Sequence, residues 1–94
     1  MNSSQTKKPK IVTITVTQAD IRWGGPYGDT CPVARATKRA LGRKRIHVSH
    51  DLIYAVSTYG KVLAELPMVA RGWIDDYDKH RSVEPLKFTV AITK

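Results

Sequence analysis

Arg35, Lys38, Arg39, Arg43, Lys44 and Arg45 fall within a stretch of the chain that contains no acid. Guanidinium and ammonium groups at that density gain binding free energy by releasing counterions from phosphates. The chemistry they suit is contact with a polyanion, nucleic acid first. Arginine adds a planar fork matched to bidentate phosphate contact. The block holds most of the charge excess. Residues up to Lys10 carry +3, residues 11–34 carry −1, residues 35–45 carry +6, and the remainder balances six bases against six acids, for a formal net charge of +8.

Cys31 is the one other group with nucleophilic potential, since a helix N-terminus favours a thiolate. No signature places His47, His50 or His80 as its base, and a cysteine beside Pro32 reads better as a small packed residue that is chemically quiet. A single cysteine also excludes an internal disulfide and a zinc site of several thiolates. His47 and His50, three apart on a strand, point to opposite faces and make a poor metal pair. Asp75, Asp76 and Asp78 crowd a helix C-terminus without calcium-loop spacing. Their neighbours Lys79 and Arg81 offset that cost, or Asp75 and Asp78 meet a basic partner surface. No metal or other cofactor is expected. Trp23 and Tyr27, set among glycines, are candidates for contact with a protein partner.

These groups need a scaffold, and 94 residues supply one domain with a modest core, expected over residues 11–94 behind a flexible basic tail at residues 1–10. Val12, Ile14 and Val16 alternate with threonines as a strand. Thr17 and Asp20 then form a capping box for a helical turn through Trp23. Trp23-Gly24-Gly25-Pro26-Tyr27-Gly28 is a loop whose glycines permit unusual backbone angles. Asp29 or Thr30 caps a helix to Leu41 with Gly42 as its stop. Its weakly apolar face includes Val33, Ala36, Ala40 and Leu41, and Arg35, Lys38 and Arg39 project from the other side. Strands at Arg45 to His50, Leu52 to Val56 and Lys61 to Leu66 follow, the last two forming a hairpin around Ser57 to Gly60. A second helix carries the core stripe Leu66, Val69, Ala70, Trp73, Ile74 and Tyr77, with Arg71 four residues from Asp75 on its exposed side. Leu86 to Ile92 is the last strand. The order β-α-β-β-β-α-β predicts an α+β fold, a largely antiparallel sheet with two helices on one face. No apolar run approaches the ~20 residues needed to span a bilayer, so no membrane partner is expected and the setting is read as cytoplasmic.

Ile14 to Ile21, Cys31-Pro32-Val33-Ala34 with Arg39-Ala40-Leu41, Leu66-Pro67 with Trp73 to Asp78, and Val83 to Phe88 together resemble a set of short uncharacterised proteins of bacteriophages and prophages. The resemblance covers most of residues 11–92. It implies a mobile-element origin and an accessory or host-takeover role in a bacterial cytoplasm, and it carries over no catalytic or binding residue. The dense basic block and basic tail depart from that pattern. Two functions follow as expectations. One is a non-enzymatic accessory protein contacting nucleic acid or a nucleoprotein complex through the basic helix. The other is an inhibitor of a host nuclease or antiviral defence complex that uses the same positive surface. Zinc-finger spacing, a paired-aromatic strand signature and a helix-turn-helix are all absent, so binding is expected to read shape or charge.

Overall fold

Strict alternation builds the outer strands of the computed structural model, which describes residues 10–56 and 60–92. In β1 (Lys10–Val16) Ile14 and Val16 are fully buried while Thr13 and Thr15 face solvent. In β5 (Leu86–Ile92) Phe88, Val90 and Ile92 are buried between exposed neighbours. The two strands pair antiparallel along their whole length, from Lys10 opposite Ile92 to Val16 opposite Leu86, with Ile14 against Phe88. Lys10 therefore belongs to a strand and not to the expected tail. The rest of that tail, residues 1–9, lies outside the described residues, as do Ser57, Thr58 and Tyr59 of the expected hairpin turn.

The α+β class and antiparallel pairing are as expected, but the strands divide into two sheets. The β1–β5 pair is one, and β2 (Ile46–Val48), β3 (Leu52–Ala55) and β4 (Lys61–Glu65) form the other in that order. Pairing of Ile53 with Ala64 and of Tyr54 with Val62 leaves Leu63 as an extra residue in β4. That bulge breaks the period of two, so Leu63 and Ala64 are buried in succession and Val62 is exposed.

There are three helices among the described residues, because the turn after β1 is a full α-helix, α1 (Gln18–Trp23). The basic helix α2 (Pro32–Leu41) lies against β1 and β2, and α3 (Met68–Asp78) touches β5. Val33, Ala34 and Ala36 of α2 join Ile14, Ile46, Ile53 and Phe88 in one core, where each buried valine, isoleucine or phenylalanine contributes about 1.5–3 kcal/mol of transfer free energy. Thr37 is buried on the same helix face and donates its hydroxyl proton to the Val33 carbonyl at 2.7 Å. Ala40, expected on that face, is exposed.

The stripe on α3 is narrower than expected. Ala70 and Ile74 are buried, while Val69 is 57% exposed because the helix meets the core only along its Ala70–Ile74 line. Trp73 is half-buried and stacks on Tyr77 with ring centroids 5.7 Å apart and planes 7° apart. Arg71 does not pair with Asp75. It turns back to Glu65 at 3.8 Å and donates to the Leu66 carbonyl, while Asp75 and Asp76 pair forward with Lys79 and Arg81. His80 closes α3 in the left-handed region (φ 59°), and the Arg81 amide donates to Asp76.

Candidate nucleic-acid interface

The basic helix starts one residue later than its expected cap. Cys31 is the N-cap of α2, its Sγ accepting from the Ala34 amide at 3.4 Å. Thr30 is already engaged in the preceding loop, where its hydroxyl oxygen accepts from the Tyr27 amide at 3.2 Å. Burial pushes the Cys31 thiol up from its ordinary value against the lowering effect of the Ala34 and Val33 amides, so the neutral thiol dominates near pH 7. Gly42 ends the helix with φ 65°, a left-handed conformation that suits glycine, and releases Arg43, Lys44 and Arg45 into an exposed turn before β2.

The aromatic loop uses its glycines for closeness and not for unusual angles, since Gly24, Gly25 and Gly28 are all absent from the positive-φ region. A Cβ on Gly24 would lie 2.7 Å from the Asp20 carbonyl and from the Pro32 ring, and one on Gly28 would lie 2.3 Å from the His47 ring. Backbone bonds from Gly25 to Thr30, from Cys31 to Tyr27 and from Val48 to Gly28 tie the loop to α2 and β2. The Tyr77 hydroxyl donates to the Gly24 carbonyl at 3.1 Å and links it to α3.

Two of the six basic residues, Arg35 and Arg39, have an acidic partner. Asp20 is 1% exposed. Its Oδ2 accepts from the Thr17 amide at 2.9 Å, completing the expected capping box, and both oxygens accept from Arg39 at 3.0 and 2.6 Å. Arg39 also donates to the Thr15 carbonyl, and Arg35 Nε lies 3.4 Å from Asp20. A buried carboxylate thus joins β1, α1 and α2. Burial alone would raise the Asp20 pKa, but hydrogen bonding with Arg39 and Thr17 and the Arg39 charge outweigh it and hold the pKa at about 2, below the ordinary 3.8. A depressed folded-state pKa stabilises the fold above the unfolded value and ceases to do so as pH falls through the folded one. Acid titration followed by circular dichroism should therefore show on the order of 2 kcal/mol lost between about pH 4 and pH 2, and Asp20→Asn should flatten that segment. A wild-type profile unchanged by that substitution would exclude the linkage.

Lys38, Arg43 and Lys44 have no acidic partner among the described residues, and with Arg35, Arg39 and Trp23 they line an open cleft of about 700 Å³. Lys38 donates only to the backbone carbonyl of Asp29, and Asp29 and Thr30 complete the wall. Arg45, exposed on the turn, does not line it. The four residues expected to meet a protein partner are separated. Trp23 is 70% exposed and lines the same cleft as the cations. Tyr27, equally exposed, shares a smaller cavity of about 220 Å³ with Asp78 and Cys31. Asp75 is held by Lys79 at 3.1 Å. Sequence reasoning missed the Asp20 clamp, although its signal was present. The capping box fixes where the Asp20 side chain starts, and Arg35 and Arg39 stand four apart on one helix, a spacing from which two arginines can share a carboxylate.

No protein-family model, no curated protein and no solved structure matches the chain. The likeness to short phage proteins accordingly rests on the quoted motifs alone.

Proposed function

We propose that the chain is a non-enzymatic accessory protein of phage type that contacts nucleic acid, alone or within a nucleoprotein assembly, through the cleft beside α2. The observation that carries this reading is the convergence of Lys38, Arg43 and Lys44, unpaired with any acid among the described residues, on one concavity with Trp23 at its wall. Cations near a helix C-terminus are favoured by its dipole, which accounts for their presence there. It does not account for their facing a common cleft with an exposed indole. With Arg35 and Arg39 set against Asp20 and Asp29, the cleft retains net positive charge suited to phosphate.

Three phosphate contacts predict that the logarithm of the binding constant falls with the logarithm of salt concentration at a slope of about −2 to −3. Fluorescence anisotropy of labelled oligonucleotides across a salt series measures it. Arg43→Glu with Lys44→Glu should weaken binding at least about tenfold and remove roughly two-thirds of the slope. Reversal at Arg39 is the wrong test, since it would break the Asp20 clamp. Absence of a complex at low salt, or binding indifferent to the double variant, would overturn the proposal.

The exposure of both Trp23 and Tyr27 favours a second reading, an inhibitor of a host nuclease or antiviral defence complex whose cations occupy an acidic or nucleic-acid-binding patch. A stoichiometric protein complex that survives nuclease treatment and is weakened by Trp23→Ala would select it over the first.

A further inference from the structure

Trp23 is the last residue of α1, and the Gly24 amide closes that helix by donating to the Asp20 carbonyl at 2.8 Å. The close approach of Gly24 to the Pro32 ring seats the end of α1 on the first turn of α2. The backbone that carries the indole is therefore held at a defined position, and the indole, 70% exposed, lines the same cleft as Lys38, Arg43 and Lys44. Trp73, by contrast, lies half-buried with its Nε1 donating to the Glu84 carbonyl at 2.7 Å. Gly42 also lines the cleft, and no atom lies within 4 Å of a Cβ added there.

The cleft is open, and its volume of about 700 Å³ is enough to seat a nucleotide unit. Bases inside a duplex have both faces covered by their neighbours and present no π surface to an indole, whereas an unpaired base does. Base–aromatic stacking beside a cationic track is a common way to hold single strands. The Asp29 carboxylate in the same wall is an acceptor only and suits the donors of a base edge better than a phosphate.

We infer that the cleft holds an unpaired nucleotide, its base stacked on Trp23 and its flanking phosphates on Lys38, Arg43 and Lys44, so that the protein prefers single-stranded nucleic acid to duplex. This rests on the reading of the cleft as a nucleic-acid interface. The test compares anisotropy titrations of the full chain with oligothymidylate, oligouridylate and a DNA duplex of equal phosphate count. The single strands should bind more tightly, and the relative affinity of the first two shows whether DNA or RNA is preferred. Trp23→Ala should cut single-strand affinity by about 5- to 150-fold, the equivalent of one stacked base, and leave duplex affinity unchanged, while Trp23→Phe retains most of it. Trp73 fluorescence then reports that the variants are folded. Equal or tighter duplex binding, or an equal loss on both substrates, overturns the stacking inference but not the basic interface. No binding to any of the three overturns both.

Discussion

Arg39→Ala should lower the stability of the fold by about 2–3 kcal/mol, read as a reduced midpoint in urea unfolding with an unchanged slope. The substitution removes both hydrogen bonds to Asp20 and the one to the Thr15 carbonyl, and it leaves a carboxylate that is 1% exposed without its main counterion. Removing one member of a fully buried pair costs about 3–5 kcal/mol. The lower figure applies because Arg39 itself is half exposed and Arg35 stands 3.4 Å away, able to take part of the charge. Arg39→Lys should recover only part of the loss, since one ammonium cannot reproduce the two-pronged contact and reach Thr15 as well. Asp20→Asn should be milder than Arg39→Ala, because the freed guanidinium can turn to water. A stable Arg39→Ala variant would mean that the junction of β1, α1 and α2 depends on packing alone.

Gly24→Ala should be nearly as damaging, at about 1–3 kcal/mol, and should also weaken oligonucleotide binding. The new methyl group would lie 2.7 Å from a backbone carbonyl and from a proline ring, neither of which can swing aside. Relief requires the Gly24 cap to open, lengthening its hydrogen bond to Asp20, and α1 to move off Pro32 of α2, carrying Trp23 with it. Gly42→Ala is the informative contrast. Its methyl group meets nothing, so its cost to stability is confined to the left-handed backbone, about 1–2 kcal/mol. Thermal unfolding together with anisotropy separates the two. Oligonucleotide binding unchanged by Gly24→Ala would show that the Trp23 position does not matter.

Local rules made much of the scaffold legible. Alternation in Ile11 to Thr17 and in Leu86 to Ile92 located β1 and β5, and Pro32 with Gly42 bracketed α2. The capping box at Thr17 and Asp20 opened α1. Partnerships between distant residues carried no local signal. The division into two sheets depends on which edges meet, and the bulge at Leu63 depends on the register against β3. Arg39 read as a solvated cation because periodicity describes one helix at a time, while its partner belongs to another. Val69 read as core because the apolar stripe of α3 is wider than the contact the helix makes. The cleft was legible as a charge cluster, but the separation of Trp23 from Tyr27 and Asp78 followed only from the path of the loop.

The ladder between β1 and β5 sets a kinetic order on these parts. Each of its rungs, from Val16 with Leu86 to Lys10 with Ile92, closes a loop containing nearly all of the described chain, whereas the β2–β3–β4 meander and the turns of α2 close over a few residues. Loop-closure entropy grows with separation and must be met before the contact stabilises anything, so this pairing comes late and slows folding. Ile14 and Val16 of β1 form the floor beneath α2, and the Thr15 carbonyl holds Arg39. Until the last strand arrives, that floor has no strand partner. A chain in which β5 has not yet docked would therefore carry its positive charge on a helix whose supporting sheet is incomplete.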